Sequence, residues 1–307
     1  MMQNRFLRIA RRILPWIVLV SIVLFFANNA PNLERSKEYI LTIPLSTVLF
    51  CLVLALVSYF LRLARWLNYM SLSSIEASIY EHTLIYFSGL ALTFTPGKVG
   101  ELTRGFYLTQ RGVPFRYTFA CCVSERLNDL ITVMFIGAFF LAQYFHPAFI
   151  VISVLMVPLP FLVYFFLKCL SDISETGRYS PIVSDFVSVW MPRIACKSSL
   201  FSFLAWSFQG VVLYFFLDQL GAEVSIPTAL SVYCLSLVIG AASLIPGGIV
   251  ATELGMVWLL TYIGVDKDLA LISSIGTRAI TLLPAILVGL LSVFVLSQKE
   301  ILVKGRV

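Results

Sequence analysis

Residues 226–263 read IPTALSVYCLSLVIGAASLI, then PGG at Pro246-Gly247-Gly248, then IVATELGMVWLLTYI. The apolar run Ile226–Ile245 is close to membrane length. The helical piece after the break, about Thr252 to Ile263, is too short: at about 1.5 Å per residue it cannot cross about 30 Å of hydrocarbon. Helix, break and short helix together predict a re-entrant hairpin, which dips into the bilayer and returns to the side it came from. Broken backbone at that depth is tolerated only where protein or a watery cavity satisfies it. The pattern has a counterpart upstream. Ile79–Thr95 is followed by Pro96-Gly97-Lys98-Val99-Gly100-Glu101 and a helical piece ending near Arg111.

Composition supports a membrane setting for both hairpins. Of 307 residues, 59% are hydrophobic and 12% charged, with mean hydropathy +0.93. A soluble chain carries about 25% charged residues, so a soluble enzyme, a disordered chain and a coiled coil are excluded. Continuously apolar stretches such as Ile150–Leu167 exclude a transmembrane β-barrel, whose strands alternate. Full spans are predicted at about Ile13–Ala30, Leu41–Leu67, Tyr117–Gln143, Ala148–Lys168, Leu200–Leu220 and Leu269–Leu296. The first follows Arg5, Arg8, Arg11 and Arg12, and Asn28-Asn29-Ala30-Pro31 is a poor cleavage site, so it reads as a retained helix. The fold class is therefore all-α: one polytopic membrane domain over 1–307, with about six spans and two re-entrant hairpins. Cys51, Cys121, Cys122, Cys169, Cys196 and Cys234 lie mostly in apolar segments without metal-ligand spacing, and read as small hydrophobes. No metal and no cofactor is expected.

The basic excess follows topology rather than nucleic acid. With the N-terminus cytoplasmic and both hairpins re-entrant, 17 Lys and Arg fall on the cytoplasmic side. Only Arg35, Lys37 and Lys267 fall outside, and Arg126 and Arg278 lie within spans. That bias places both termini in the cytoplasm of an inner (plasma) membrane protein. It also makes the long hydrophilic loop 171–199 cytoplasmic, with an interfacial helix over Pro181–Pro192. A cysteine tag in that loop is expected to react only from the cytoplasmic side; labelling from outside intact cells would overturn the orientation.

The chain repeats itself. Pro96-Gly97 precedes Glu101-Leu102, and Pro246-Gly247 precedes Glu253-Leu254. Eleven residues after each glutamate stands Gly-Val, at Gly112-Val113 and Gly264-Val265, and twenty-five residues after it an arginine, Arg126 and Arg278. Repeat 1 covers about 41–143 and repeat 2 about 200–296. The first hairpin enters from the cytoplasm and the second from outside, so the copies are inverted, a construction plan of secondary transporters. Both arginines stand about 15 Å into their helices, near the midplane, where an arginine costs roughly 2.5–3.5 kcal/mol. They bind a ligand, or they lock helices through internal ion pairs. Glu125 and Asp129 fit the second use for Arg126, with Asp129 at i+3. Arg278 has no local acid, and Glu253 or Glu101 is its natural counter-charge. At the breaks Pro96, Gly97, Gly100, Pro246, Gly247 and Gly248 expose backbone groups, and helix N-termini there favour an anion such as a lipid phosphate. Lys98 and Arg104 strengthen that field, or else face solvent or headgroups.

These motifs resemble the lysylphosphatidylglycerol synthetase transmembrane-region family of flippase-like membrane proteins, over about Leu41 to Leu296. Pro96–Arg104 is similar to its P-x-x-x-G-E-x-x-R, Arg126–Asp129 to its R-x-x-D helix, and Pro246-Gly247-Gly248 leads to Glu253 and then Arg278. Val250 stands where the family usually has glycine. The resemblance implies a lipid transporter that moves an anionic phospholipid or lipid-linked intermediate between leaflets. The soluble aminoacyl-transfer domain of the family's bifunctional members is not seen in this sequence, so lysine transfer is not implied and no enzymatic activity is expected. The partners are then the lipid and the bilayer, not nucleic acid, and a homo-oligomer is compatible with the sequence. The rivals are an integral-membrane enzyme and an accessory subunit acting on lipid-linked saccharides.

Overall fold

The computed structural model describes residues 39, 41–73, 78–93, 95–173, 180–243 and 245–304; of 96–99, 246 and 299–304 it describes the backbone alone. The expected first span at 13–30 lies outside these residues, as do Arg35, Lys37 and the side chain of Lys98. All regular structure among the described residues is helical. The first helices are α1 (Leu45–Met70), α2 (Ile79–Ser88), α3 (Arg104–Thr109), α4 (Phe115–Tyr144), α5 (Ile150–Met156) and α6 (Leu159–Ile173). Then come α7 (Ser180–Val189), α8 (Pro192–Gln219), α9 (Ile226–Ala242), α10 (Ala251–Tyr262) and α11 (Lys267–Lys304). Among the described residues, α1, α4, α8 and α11 are long and apolar enough to cross a membrane, and α5 with α6 makes a fifth span bent by 45°. The bend falls at Val157-Pro158, where the proline removes a helix hydrogen bond.

The long helices turn large apolar side chains outward and bury charged and polar ones among the hydrophobic core. On α1, Cys51, Ala55, Ser58, Tyr59, Arg62, Arg65, Trp66 and Tyr69 form a buried stripe at helical spacing, while Leu49, Val53, Val57 and Phe60 are exposed. On α11 the exposed face is Leu283, Leu287, Leu290, Leu291 and Phe294. Lipid solvates such faces, so helix association rests on close packing and polar contacts rather than on apolar burial.

Both sequence repeats adopt one element order: long helix, broken hairpin, long helix. Their equivalent helices α1 and α8 pack together. Phe50 meets Phe215 with ring centroids 5.0 Å apart, the Gln209 amide donates to Ser58 at 2.8 Å, and the Asn68 amide donates to Ser198 at 3.1 Å. Residue numbers rise along α1 as they fall along α8, so the two helices are antiparallel, as an inverted repeat requires. Each hairpin packs on the last helix of the other copy, α2 on α11 and α9 on α4, and the two hairpin tips touch. Glycines permit both approaches. A methyl on Gly137 would stand 3.2 Å from the Leu235 backbone, and one on Gly289 would overlap the Ala91 backbone. Gly137 and Gly289 each lie eleven residues after the paired arginines, which extends the repeat beyond the motifs read above.

The Gly-Val turns also match. Gly112 (φ +87°) and Gly264 (φ +91°) end α3 and α10 in the left-handed region. The Val113 and Val265 amides donate back to Leu108 and Leu260 carbonyls at 3.1 and 3.0 Å, a glycine C-cap that satisfies a carbonyl of the last turn.

Two expectations are corrected. The stretch 171–199 is not one long loop: α6 runs to Ile173, α7 occupies Ser180–Val189, and α8 begins at Pro192, eight residues before the predicted span. The helix foreseen over Pro181–Pro192 exists and is docked on α4. Trp190 donates to Ser124 at 2.8 Å, and Arg116 pairs with Asp185 at 3.0 Å. Burial pushes the Asp185 carboxyl above its ordinary value, against the opposing pull of Arg116.

Candidate functional site: two buried glutamate–arginine centres

The first centre joins α1, the first hairpin and α4. Its chain of contacts starts at Arg65, fully buried, which donates to Asp129 at 2.6 Å and also to the Ser202 hydroxyl. Asp129 accepts from Trp206 at 3.0 Å and pairs with Arg126 at 3.4 Å. Arg126 reaches Glu101 at 3.3 Å. Arg104, also fully buried, is gripped by Glu101 and Glu125 at 2.9 Å each, with its guanidinium 4.3 Å from the Tyr86 ring centroid. A methyl on Gly89 would come within 2.5 Å of Arg104 Nε, so the bare backbone there makes room for the guanidinium. Dense mutual pairing of this kind offsets the desolvation of the charges.

The second centre is sparse. Arg278 on α11 donates to Glu253 at 2.7 Å and to the Gly247 carbonyl at 3.2 Å. Glu253 lies in the first turn of α10, where the helix end favours an anion. Its Oε2 is buried without a hydrogen-bond partner. The turn before it is strained: Gly247 and Gly248 are left-handed, and so is Val250, at φ +72°. A β-branched residue in that region is an outlier costing about 1–3 kcal/mol, and it sits where the family resemblance leads one to expect glycine.

The copies thus share a pairing: Glu101 with Arg126 and Glu253 with Arg278, each across twenty-five residues. They differ in surroundings. In the first, the segment after Pro96 is a 3-10 helix to Thr103 followed by the six-residue α3, so only the second hairpin offers a full α-helix N-terminus. Between the centres runs a polar band. Tyr59, three residues before Arg62, donates to the carbonyl of Thr281, three residues after Arg278, at 2.7 Å, and Tyr233 donates to Gln209 at 2.8 Å. One turn along α4 from Asp129, an apolar crevice of about 270 Å³ opens between α4, α8 and the bent span, lined among others by Thr132, Phe135, Phe161, Ser199 and Phe203.

Comparison with known proteins is consistent with this architecture. Residues 13–289 match the family model described as the lysylphosphatidylglycerol synthase TM region. The chain belongs to that family. A UPF0104 membrane protein of Pyrococcus horikoshii is 22% identical, over 94% of this chain and 97% of its own.

In this member of the lysylphosphatidylglycerol synthase transmembrane-region family, the structure gathers Glu101, Arg104, Glu125, Arg126 and Asp129 into one centre. It brings Glu253, Arg278 and the Gly247 carbonyl into the other. Gly100 supports the first hairpin, its amide donating to Thr95 at 2.7 Å. The side chains of Pro96, Lys98 and Pro246 lie outside the described residues. Three arginines are placed differently from expectation. Arg104 does not face solvent or headgroups, and Arg62 and Arg65 do not flank α1 in the cytoplasm; all three are buried. Removing them leaves 14 cytoplasmic basic residues against 3, so the expected orientation does not depend on them. The missed signal is their spacing: Ser58, Arg62, Arg65 and Tyr69 fall on one helical face with Trp66 between them.

Proposed function

We propose that this protein is a lipid translocator that moves an anionic phospholipid or lipid-linked intermediate between the leaflets of the plasma membrane. In this reading repeat 1 (about 41–143) and repeat 2 (about 200–296) are related by a twofold axis in the membrane plane. The observation that carries it is the recurrence of one glutamate–arginine pair at the broken hairpin of each copy, with equivalent helices antiparallel. Two like sites facing opposite leaflets suit alternating access; a one-sided chemical reaction gives no reason for them.

Phosphate would compete with Glu253 for Arg278 and with Glu101 for Arg126, each glutamate closing the pair when the lipid has left. Charge-assisted and bidentate contacts make arginine suited to that exchange. Acyl chains have no need to leave the apolar phase, and one would fit the crevice that starts one turn along α4 from Asp129. The denser first network also fits a helix lock, which makes Arg278 the sharper site.

The test is translocation by purified protein in liposomes carrying fluorescent phosphatidylglycerol in both leaflets, with an impermeant quencher added outside. Protein-containing vesicles are expected to lose inner-leaflet fluorescence, and phosphatidylcholine is expected to move more slowly. Loss no faster than in protein-free vesicles would overturn the proposal.

A further inference from the structure

Among the described residues, the interior charge network draws on five arginines, four of them buried (Arg62, Arg65, Arg104 and Arg278) and Arg126 with its side chain 28% exposed, against four buried carboxylates (Glu101, Glu125, Asp129 and Glu253). Each carboxylate is taken by an arginine other than Arg62. Arg62 is 8% exposed, its Nε and Nη2 are buried without a hydrogen-bond partner, and its guanidinium lies 4.0 Å over the Trp206 ring. Its field reaches Asp129, but that carboxylate is already held by Arg65, Arg126 and the Trp206 indole. A ring face softens the desolvation of a cation without neutralising it. An unpaired charge inside a membrane protein is costly and marks a ligand site by default.

Its position fits that use. Arg62 is on α1, which packs against its equivalent α8; it lies three residues after Tyr59, whose hydroxyl donates to Thr281, itself three residues after Arg278, and it covers Trp206, three residues before Gln209. It therefore lies on the polar band that joins the two centres.

We propose that Arg62 is a further anion-binding residue of the interior, in addition to Arg126 and Arg278, and that its ligand is the singly charged phosphodiester of a phospholipid headgroup. This rests on the translocator reading for the lipid and goes beyond it by naming the residue and the charge. One excess positive charge is neutralised by one negative charge. A diphosphate-linked lipid would leave the interior negative, and a zwitterionic headgroup would bring its own cation into a site already holding five. Trp206 fixes the plane of the guanidinium and leaves Nε and Nη2 as donors for two phosphate oxygens.

The experiment measures binding in detergent, where no translocation is required. Short-chain phosphatidylglycerol is titrated into purified protein and binding is read by isothermal titration calorimetry. Saturable binding is expected, with Arg62→Gln weakening it at least ten-fold and Arg62→Lys weakening it less. Because Arg62 has no partner to orphan, Arg62→Gln should melt no lower than wild type. Water-soluble glycerophosphoglycerol and farnesyl diphosphate should bind at least ten-fold more weakly. Wild-type affinity in Arg62→Gln, or a fall in melting temperature as large as that of Asp129→Asn, would overturn the assignment of Arg62. Equal binding of the soluble phosphodiester would overturn the lipid, and equal binding of the diphosphate the single charge. Binding at Arg62 without translocation in liposomes would instead count against the translocator reading alone.

Discussion

Asp129→Asn is expected to lower the unfolding free energy by about 3–5 kcal/mol, the cost of removing one partner from a buried ion network. The carboxylate accepts from Arg65 and Trp206 and faces Arg126. Its neutral replacement leaves two arginines with too few counter-charges in an interior that already carries an excess of one. Against a typical margin of 5–15 kcal/mol, such a loss should show as poor expression and a lower melting temperature in detergent. Adding Arg65→Gln should recover part of it, because the most deeply buried of the uncompensated cations is then removed. A double-mutant cycle is expected to return a coupling of about 0.5–3 kcal/mol for the pair. Additive losses would mean that Arg65 and Asp129 do not act on one another.

Arg278→Gln should behave in the opposite way. Arg278 makes one carboxylate contact and one carbonyl contact, and a glutamine amide keeps a donor near both. Charge-assisted hydrogen bonds contribute about 1.5–3 kcal/mol, so the variant should remain folded at near-normal levels. Its translocation of phosphatidylglycerol should fall at least ten-fold, since about 1.4 kcal/mol of lost phosphate contact already amounts to that factor. Arg278→Lys should retain part of the rate, keeping the charge but losing the planar fork. A folded Arg278→Gln protein that translocates normally would remove Arg278 from the site and favour the accessory reading.

Much of this organisation is legible in the sequence, and the reason is that membranes limit the alternatives. Long apolar runs must be helices, and Pro-Gly breaks in them must be sheltered, so the hairpins at Pro96 and Pro246 can be read directly. That Arg278 must find its counter-charge at a distance follows from the lack of an acid within a helical turn or two, which leaves Glu253 or Glu101; the structure pairs it with Glu253. The fate of Arg62 and Arg65 does not follow. Hydropathy ends the apolar run near Leu67, and an arginine close to the end of a run can flank the membrane or turn inward with equal effect on the average. Only the α1–α8 contact, made between segments about 140 residues apart, determines which. The same holds for Arg104, whose burial depends on Gly89 clearing its guanidinium and on two glutamates arriving from separate elements. Gly137 and Gly289 were visible as residues, but their meaning needs the neighbouring backbone.

The central claim is that the cation at position 278 serves a phosphate and not the helix pair. Exchanging the partners, Glu253→Arg with Arg278→Glu, keeps an ion pair between α10 and α11 and moves only the positive charge. Measured in liposomes at matched amounts of folded protein, this double variant is predicted to translocate phosphatidylglycerol no faster than protein-free vesicles. Translocation at the wild-type rate would contradict the account, because a restored lock would then be all that the site requires.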